Sequence, residues 1–414
     1  MKLSNVIPAA FAATLVVAFA STVSAATLYV NPDGVCGGNS PCYTTIQAAI
    51  NAANNGDTIK VADATYNEAV DINKSLTLQG AQAGVDARTR SGSESTITNS
   101  CGPVRIEADN VTLDGFTVEG STDPDPCTLA GIWMNPSFSS TQGGAQILNN
   151  IVQNNISGIE LDNTGALPAK VQYNLIRNNN NPGPGSGNGI QANFVLANAT
   201  IDNNKFIGQT NSSILMPGTG SGSITISNNT LDAGIALYVS AGITITGNSS
   251  IGNSVDGTIY LGGGDSAITI SSNVLNSGVE GIVIENAFGG PNTNVTISPN
   301  NCIAGNTTNG LRVASGGYAG AAHSLNATNN WWGAASGPNY NGAGPGTGDK
   351  ITDPDGVVNF SPFLTSKSGT PCAPPPVGPP ANANQCKNGG WQTFNTPRSF
   401  KNQGDCVQYV NTGK

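Results

Sequence analysis

From residue 145 onward, short runs of alternating apolar and polar residues recur, each closed by an asparagine. In one alignment they read AQILNN (145–150), AKVQYN (169–174), ATIDNN (199–204), ITISNN (224–229), ITITGN (243–248), ITISSN (268–273), VTISPN (295–300) and LNATNN (325–330). The closing asparagines stand 19 to 30 residues apart. A second set of strands follows most of them, opening on Gly and an apolar residue: GIWMN from Gly131, GIELD from Gly158, GIQAN from Gly189, GIALY from Gly234, GIVIE from Gly281 and GLRVA from Gly310. Alternation over four or five residues predicts strands with one face inward and one outward. Strands this short at a period near 25 residues cannot form an isolated sheet, but successive coils stacked on one another bury a continuous interior. The pattern predicts an all-β solenoid, a parallel β-helix. The aligned asparagines would stack at one turn, bonding backbone groups of adjacent coils and tolerating left-handed geometry.

Upstream the periodicity changes. Residues 45–53 carry apolar positions at helical spacing and run into Asn-Asn-Gly-Asp at 54–57, a helix stop. A solenoid needs a cap over its first coil, and this helix is placed to provide one. Strands at 58–61, 76–78 and 111–113 would open the coil stack.

Met1 and Lys2 precede an apolar run over 6–20, with small residues at 23–25 before Ala26. The reading is a signal peptide over residues 1–25, and so a protein exported to the periplasm, the cell surface or the medium. No later stretch is apolar for the roughly 20 residues needed to span a bilayer. The eight cysteines fit an oxidising compartment. Their order suggests local pairs Cys36–Cys42, Cys101–Cys127 and Cys386–Cys406, leaving Cys302 and Cys372, although order alone does not fix connectivity. No CxxC occurs and His323 is the only histidine, so a zinc site is not expected.

Charged residues make up only 10% of the chain, against roughly 25% in ordinary domains. The formal charge is -9, and nothing resembles the clustered cations that a nucleic-acid partner demands. A Pro-rich stretch (367–384) separates the body (26–366) from a short, locally basic tail (385–414). The tail carries Lys387, Arg398, Lys401 and Lys414 against Asp405. About 30 residues bury little, so a disulfide is its expected staple, with Trp391, Phe394, Phe400 and Tyr409 as a miniature core or, as the second reading, a surface-binding patch.

TTIQAAINAANNGDTIKV, TYNEAVDI and KSLTLQG, within residues 44–80, resemble the opening of right-handed parallel β-helix proteins of the pectin-lyase-like superfamily in bacteria. NNWWGAASGP (329–338), GTGD (346–349) and VNFSPFL (358–364) are similar to a closing segment of its secreted members, and the tail is similar to a small module appended to many secreted proteins. The resemblance implies the fold but no single activity, because the superfamily spans lyases, hydrolases, esterases and epimerases. None of its catalytic signatures is complete in this sequence. Tyr66 and Glu68 match part of an esterase Gly-x-Tyr-x-Glu element, with Ala64 in the Gly place, but the later esterase motifs are missing and the element reads as scaffold. The polygalacturonase-like and pectate-lyase-like motifs are absent, although Lys170, Arg177, Lys205 and Arg312 are available as bases.

One set of positions draws attention. In the second-strand alignment Trp133 and Asn135, then Glu160 and Asp162, then Gln191 and Asn193 fall on three consecutive coils. Coils lie about 4.8 Å apart and alternate residues about 6.6 Å apart. An aromatic platform would stand beside a carboxylate pair and two amides, a surface suited to a sugar chain, with Trp133, Asn135, Gln191 and Asn193 as binding residues. Glu160 and Asp162 are weak catalytic candidates, since their spacing falls near the roughly 6.5–9.5 Å of inverting glycosidases. A water-facing acid pair is the plainer expectation. Glu285, five coils on, is too distant to join them. Asp353 to Gly356 has a DxDG form, but lacks further calcium-loop ligands and reads as a turn. No cofactor or metal is expected; calcium is left open but no motif supports it. The sequence thus predicts a secreted, monomeric β-helix that binds polysaccharide or cell-wall material without a recognisable catalytic motif; the alternative is a lyase or hydrolase with a divergent site.

Overall fold

The structure is a computed structural model describing residues 24–413 apart from 125–128, 194, 219–221, 252–256, 277, 368–371, 373–378, 381, 388–390, 392–393 and 395–399. The proposed signal peptide and the Pro-rich stretch fall largely outside the described residues, as does Cys127.

The chain is a parallel β-helix. Three long sheets of 14, 10 and 12 strands run the length of the molecule, and every pairing within them is parallel. Ten successive coils contribute one strand to each sheet. One coil runs Ala199–Asp202 in the first sheet, Lys205–Ile207 in the second and Ser212–Pro217 in the third. The recurrent xTIxxN runs form the first sheet and the Gly-Ile runs the third, as predicted. The second sheet was not foreseen. Its strands, such as Leu175–Arg177 and Thr230–Leu231, are two to four residues long and show too little alternation to stand out.

Register stacks like on like. Ile132, Ile159, Ile190, Ile214, Ile235, Ile259, Ile282 and Leu311 are paired in succession along the third sheet, all buried. Ile201, Ile226, Ile245, Ile270 and Ile297 line the first in the same way. Each such side chain contributes about 1.5–3 kcal/mol by leaving water, so a thin core gains by repetition what it lacks in width.

The asparagine ladder closes the turn between the first and second sheets, with one shift and one division of labour. Backbone N–H groups of Asn150, Asn174, Asn204, Asn229, Asn248, Asn273 and Asn301 each donate to the amide oxygen of the next asparagine, ending at Asn330, over 2.8–3.1 Å. The seventh rung is Asn301, not Asn300, because the turn there holds one extra residue between the strand and the rung. The ladder asparagines are buried and do not take the left-handed conformation. That falls to the preceding residue: Asn149, Tyr173, Asn203, Asn228, Gly247, Ser272, Asn300 and Asn329 all have positive φ.

The helix Ile46–Ala52 covers the first coil, burying Ile46, Ala49 and Ile50. Thr45 caps its start, and the Glu68 carboxylate accepts from the N–H groups of Ile46 (2.9 Å) and Gln47 (3.0 Å). Lys74 donates to the carbonyls of Ile50, Asn51 and Ala53 at the other end. An acid at the amino end and a base at the carboxyl end both complement the helix dipole. Glu68 is therefore occupied as scaffold, and buried Tyr66 donates to the Ala62 carbonyl.

Residues 81–94 form a strap laid lengthwise over the asparagine turn. Gly84 N–H donates to Asp114, Ala87 N–H to the Tyr173 carbonyl, and Arg88 reaches Asn203 while its guanidinium lies 5.2 Å from the Tyr173 ring centre. Arg90, with only 1% of its side chain exposed, pairs with Glu94 and donates to the carbonyls of Phe116 and Asn149.

Three disulfides join Cys36 to Cys42, Cys302 to Cys372 and Cys386 to Cys406; the first and last are the predicted local pairs. Cys101 is disulfide-bonded as well. In the tail, Cys386, Phe394, Phe400 and Cys406 form a small buried cluster. Trp391 and Tyr409 pack against it, and the helix Gln403–Thr412 supplies one side. The Asp353 turn is held by its own side chain, which accepts from Tyr340 Oη and from the N–H groups of Val357 and Val358. Among the described residues no helix is long and apolar enough to cross a membrane.

Candidate functional site

Because the isoleucines of the third sheet point inward, their strand neighbours point out. Register then places Asp71, Arg105, Trp133, Glu160, Gln191, Leu215, Ala236, Tyr260, Val283 and Arg312 in a single file along the outside of the molecule. The adjacency predicted for Trp133, Glu160 and Gln191 is therefore real.

Their exposure is not as predicted. The acid pair does not face water: Glu160 is 3% exposed and Asp162 fully buried. Turns following the third-sheet strands fold back over the file. Asn135, buried with φ 61°, spends its amide on that fold, donating to the Ser139 carbonyl and accepting the Ser139 N–H. Glu160 accepts from Gln191 Nε2 and from the N–H of Asn193 at 2.8 Å. A relay of amides orients Gln191: Asn211 donates to Asn188 and Asn188 to Gln191 Oε1, at 2.8 and 2.9 Å. Only Asn193 leaves its side chain in solvent.

Burial, and then the charge of Asp162, push Glu160 well above the usual carboxylate range, against the pull of Gln191 and Asn193.

Around the acids the surface is aromatic. Trp133 meets Phe138 edge to face, ring centres 5.9 Å apart. The Trp133 Nε1–H is shielded and has no acceptor among the described residues. A cavity of about 30 Å³, enough for one water, is lined by Leu129, Ala130, Trp133, Glu160 and Asn193. Beside it opens a wider hollow of about 280 Å³ walled by Asn135, Phe138, Ser140, Thr164 and Val195.

A second aromatic group lies five coils along, about 24 Å away. Tyr238 packs edge to face on Tyr260 (5.7 Å) and on Phe288 (4.7 Å), and Phe288 is 51% exposed. Gly262 makes room for it: a Cβ there would stand 2.4 Å from the Tyr238 ring. Tyr260 Oη donates to Glu285 at 2.8 Å, and Arg312 binds both Glu285 (2.7 Å) and Glu280 (2.9 Å). This group was missed from sequence. Tyr238 and Tyr260 belong to different strand positions, and Phe288 comes from a turn.

A scan against protein-family models finds no match, and a search of curated proteins finds none either. Among solved structures the chain is similar to the catalytic unit of a GH87 alpha-1,3-glucanase from Streptomyces thermodiastaticus, at 16% identity and a TM-score of 0.41. That alignment covers 78% of this chain and 66% of the glucanase. An alginate lyase from Paenibacillus aligns at 15% identity and TM-score 0.41, covering 76% and 96%. The A-module of the Azotobacter vinelandii mannuronan C-5 epimerase AlgE4 aligns at 14% and 0.38, covering 82% and 100%. The coil architecture itself rests on the register of the three sheets described above.

Proposed function

We propose that this is an exported β-helix protein that binds a polysaccharide along the outer face of its third sheet. The observation that carries the reading is the pairing of two aromatic groups, Trp133 with Phe138 and Tyr238 with Tyr260 and Phe288, on one face about 24 Å apart. Rings present flat apolar area at low entropic cost, and the neighbouring polar groups supply directional bonds, the combination that a sugar chain requires. A span of that length suits a polymer better than a single sugar. The disulfides support an oxidising destination, and the similar solved structures include proteins whose names state action on glucan or alginate.

The direct test is a set of binding isotherms against neutral and uronate polysaccharides. The wild-type protein should bind at least one of them, with affinity falling about tenfold in Trp133→Ala. Failure to bind any polymer in the panel would reject the reading. Release of product from a bound polymer, abolished by Glu160→Gln, would replace binding with catalysis.

A further inference from the structure

We infer that the polymer held on the third face is an uncharged glycan rather than a polyuronate; this rests on the binding reading above. The argument is one of charge. Between Arg105 and Arg312 the whole sequence contains three cationic residues: Lys170, Arg177 and Lys205. Lys170 belongs to the first-sheet strand Ala169–Gln172, and the other two to the second-sheet strands Leu175–Arg177 and Lys205–Ile207. The third face, from the first aromatic group to the second, has no cation to offer a carboxylate.

The two arginines at its ends are already committed. Arg105 contacts Asp71 at 2.9 Å and Glu107 at 2.7 Å, and Arg312 contacts Glu280 and Glu285. Each has two carboxylates to one guanidinium, so both ends of the file are net negative. Lys350 lies beyond Arg312, in the strand Gly348–Thr352 that follows it in the sheet.

A polyuronate would bring a carboxylate with each sugar onto this surface, next to like charges and without a counter-charge. Like charges in such juxtaposition act as a selection against the wrong ligand. A neutral glycan meets no such penalty. Its ring faces can lie on the aromatic side chains, and its hydroxyls can bond Asn193 and neighbouring groups.

The test is affinity electrophoresis of the full-length protein at low ionic strength. Gels contain neutral glucans and mannans, or alginate and polygalacturonate. The quantity read is the difference in retardation between the wild-type protein and the Trp133→Ala/Tyr260→Ala double variant, which cancels any pull of the basic tail. A difference of about tenfold in apparent Kd is expected in at least one neutral gel, and none in either uronate gel. A difference in a uronate gel would overturn the inference while leaving polysaccharide binding intact. No difference in any gel would remove the binding face itself. In addition, Leu215→Arg, which places a cation midway along the file, should create retardation in alginate. If alginate is still ignored, the missing cation is not what excludes it and the inference falls.

Discussion

Asn204 donates twice to one oxygen of Asn229: its backbone N–H reaches Oδ1 over 2.9 Å and its Nδ2 over 3.0 Å. The same Nδ2 group also donates to the Val171 carbonyl at 2.8 Å, so one side chain ties together three coils. All of these groups are buried. Asn229→Ala would leave the backbone N–H of Asn204 without its acceptor and the Ile201 carbonyl without its amide, while Asn204 Nδ2 keeps the carbonyls of Val171 and Asp202. The cost should be about 2–4 kcal/mol, since each stranded buried group costs about 1–3. Equilibrium urea unfolding would measure it. Ser272→Gly, at a left-handed position with φ 56°, should stay within about 0.5 kcal/mol of wild type, relief of backbone strain being offset by glycine's extra unfolded entropy. Equal losses at both positions would contradict the division of labour in the turn.

Glu160 makes the protein sensitive to alkali. Its folded pKa is raised above the ordinary 4.5, to about 8, by burial and by Asp162. The folded state therefore keeps a proton that the unfolded chain releases in that interval. The contribution to stability is full below the unfolded value and is lost as pH rises through the folded one, with a slope of up to about 1.4 kcal/mol per pH unit. Asp265, raised to about 6 by burial, acts in the same direction at its lower end. Unfolding midpoints taken between pH 5 and 8 should fall steadily, and Glu160→Gln should flatten the profile. A wild-type midpoint that rises over that range would refute the assignment.

Arg90 is the pin of the strap. Arg90→Ala would strand the Glu94 carboxylate and the carbonyls of Phe116 and Asn149. Breaking a buried ion pair in this way should cost about 3–5 kcal/mol. Limited proteolysis should then cut within residues 81–94, which ought to resist cleavage in the wild-type protein.

The tail has its own small core around Cys386 and Cys406. Deleting residues 385–414 should leave the melting temperature of the β-helix within about 2 °C, because few contacts are expected to cross a Pro-rich spacer. A drop of several degrees would mean that the tail packs on the coils as a cap.

Much of the architecture was legible because the repeat writes the same message many times. Isoleucine at alternate positions and asparagine at the turn align over eight coils, so the first and third sheets and the opening helix could be read directly. Single-copy features could not. The extra residue before Asn301 displaced one rung. The second sheet hid in strands of two to four residues, and the strap carries no periodicity at all. For the site, register put Trp133, Glu160 and Gln191 side by side as predicted. The burial of Glu160 involves the turn whose Asn193 N–H it accepts, and an alternating strand pattern says nothing of what its flanking turns will cover.

The strap also bears on how the molecule comes apart. A solenoid held only by contacts between adjacent coils behaves as a one-dimensional chain of weakly linked units, able to fray from either end. Residues 81–94 alter that arithmetic by reaching Asp114, Asn149, Tyr173 and Asn203 on four successive coils. Those coils can separate only if the strap lifts from all of them at once. The amino-terminal third should therefore melt as one block, and fraying should begin at the other end.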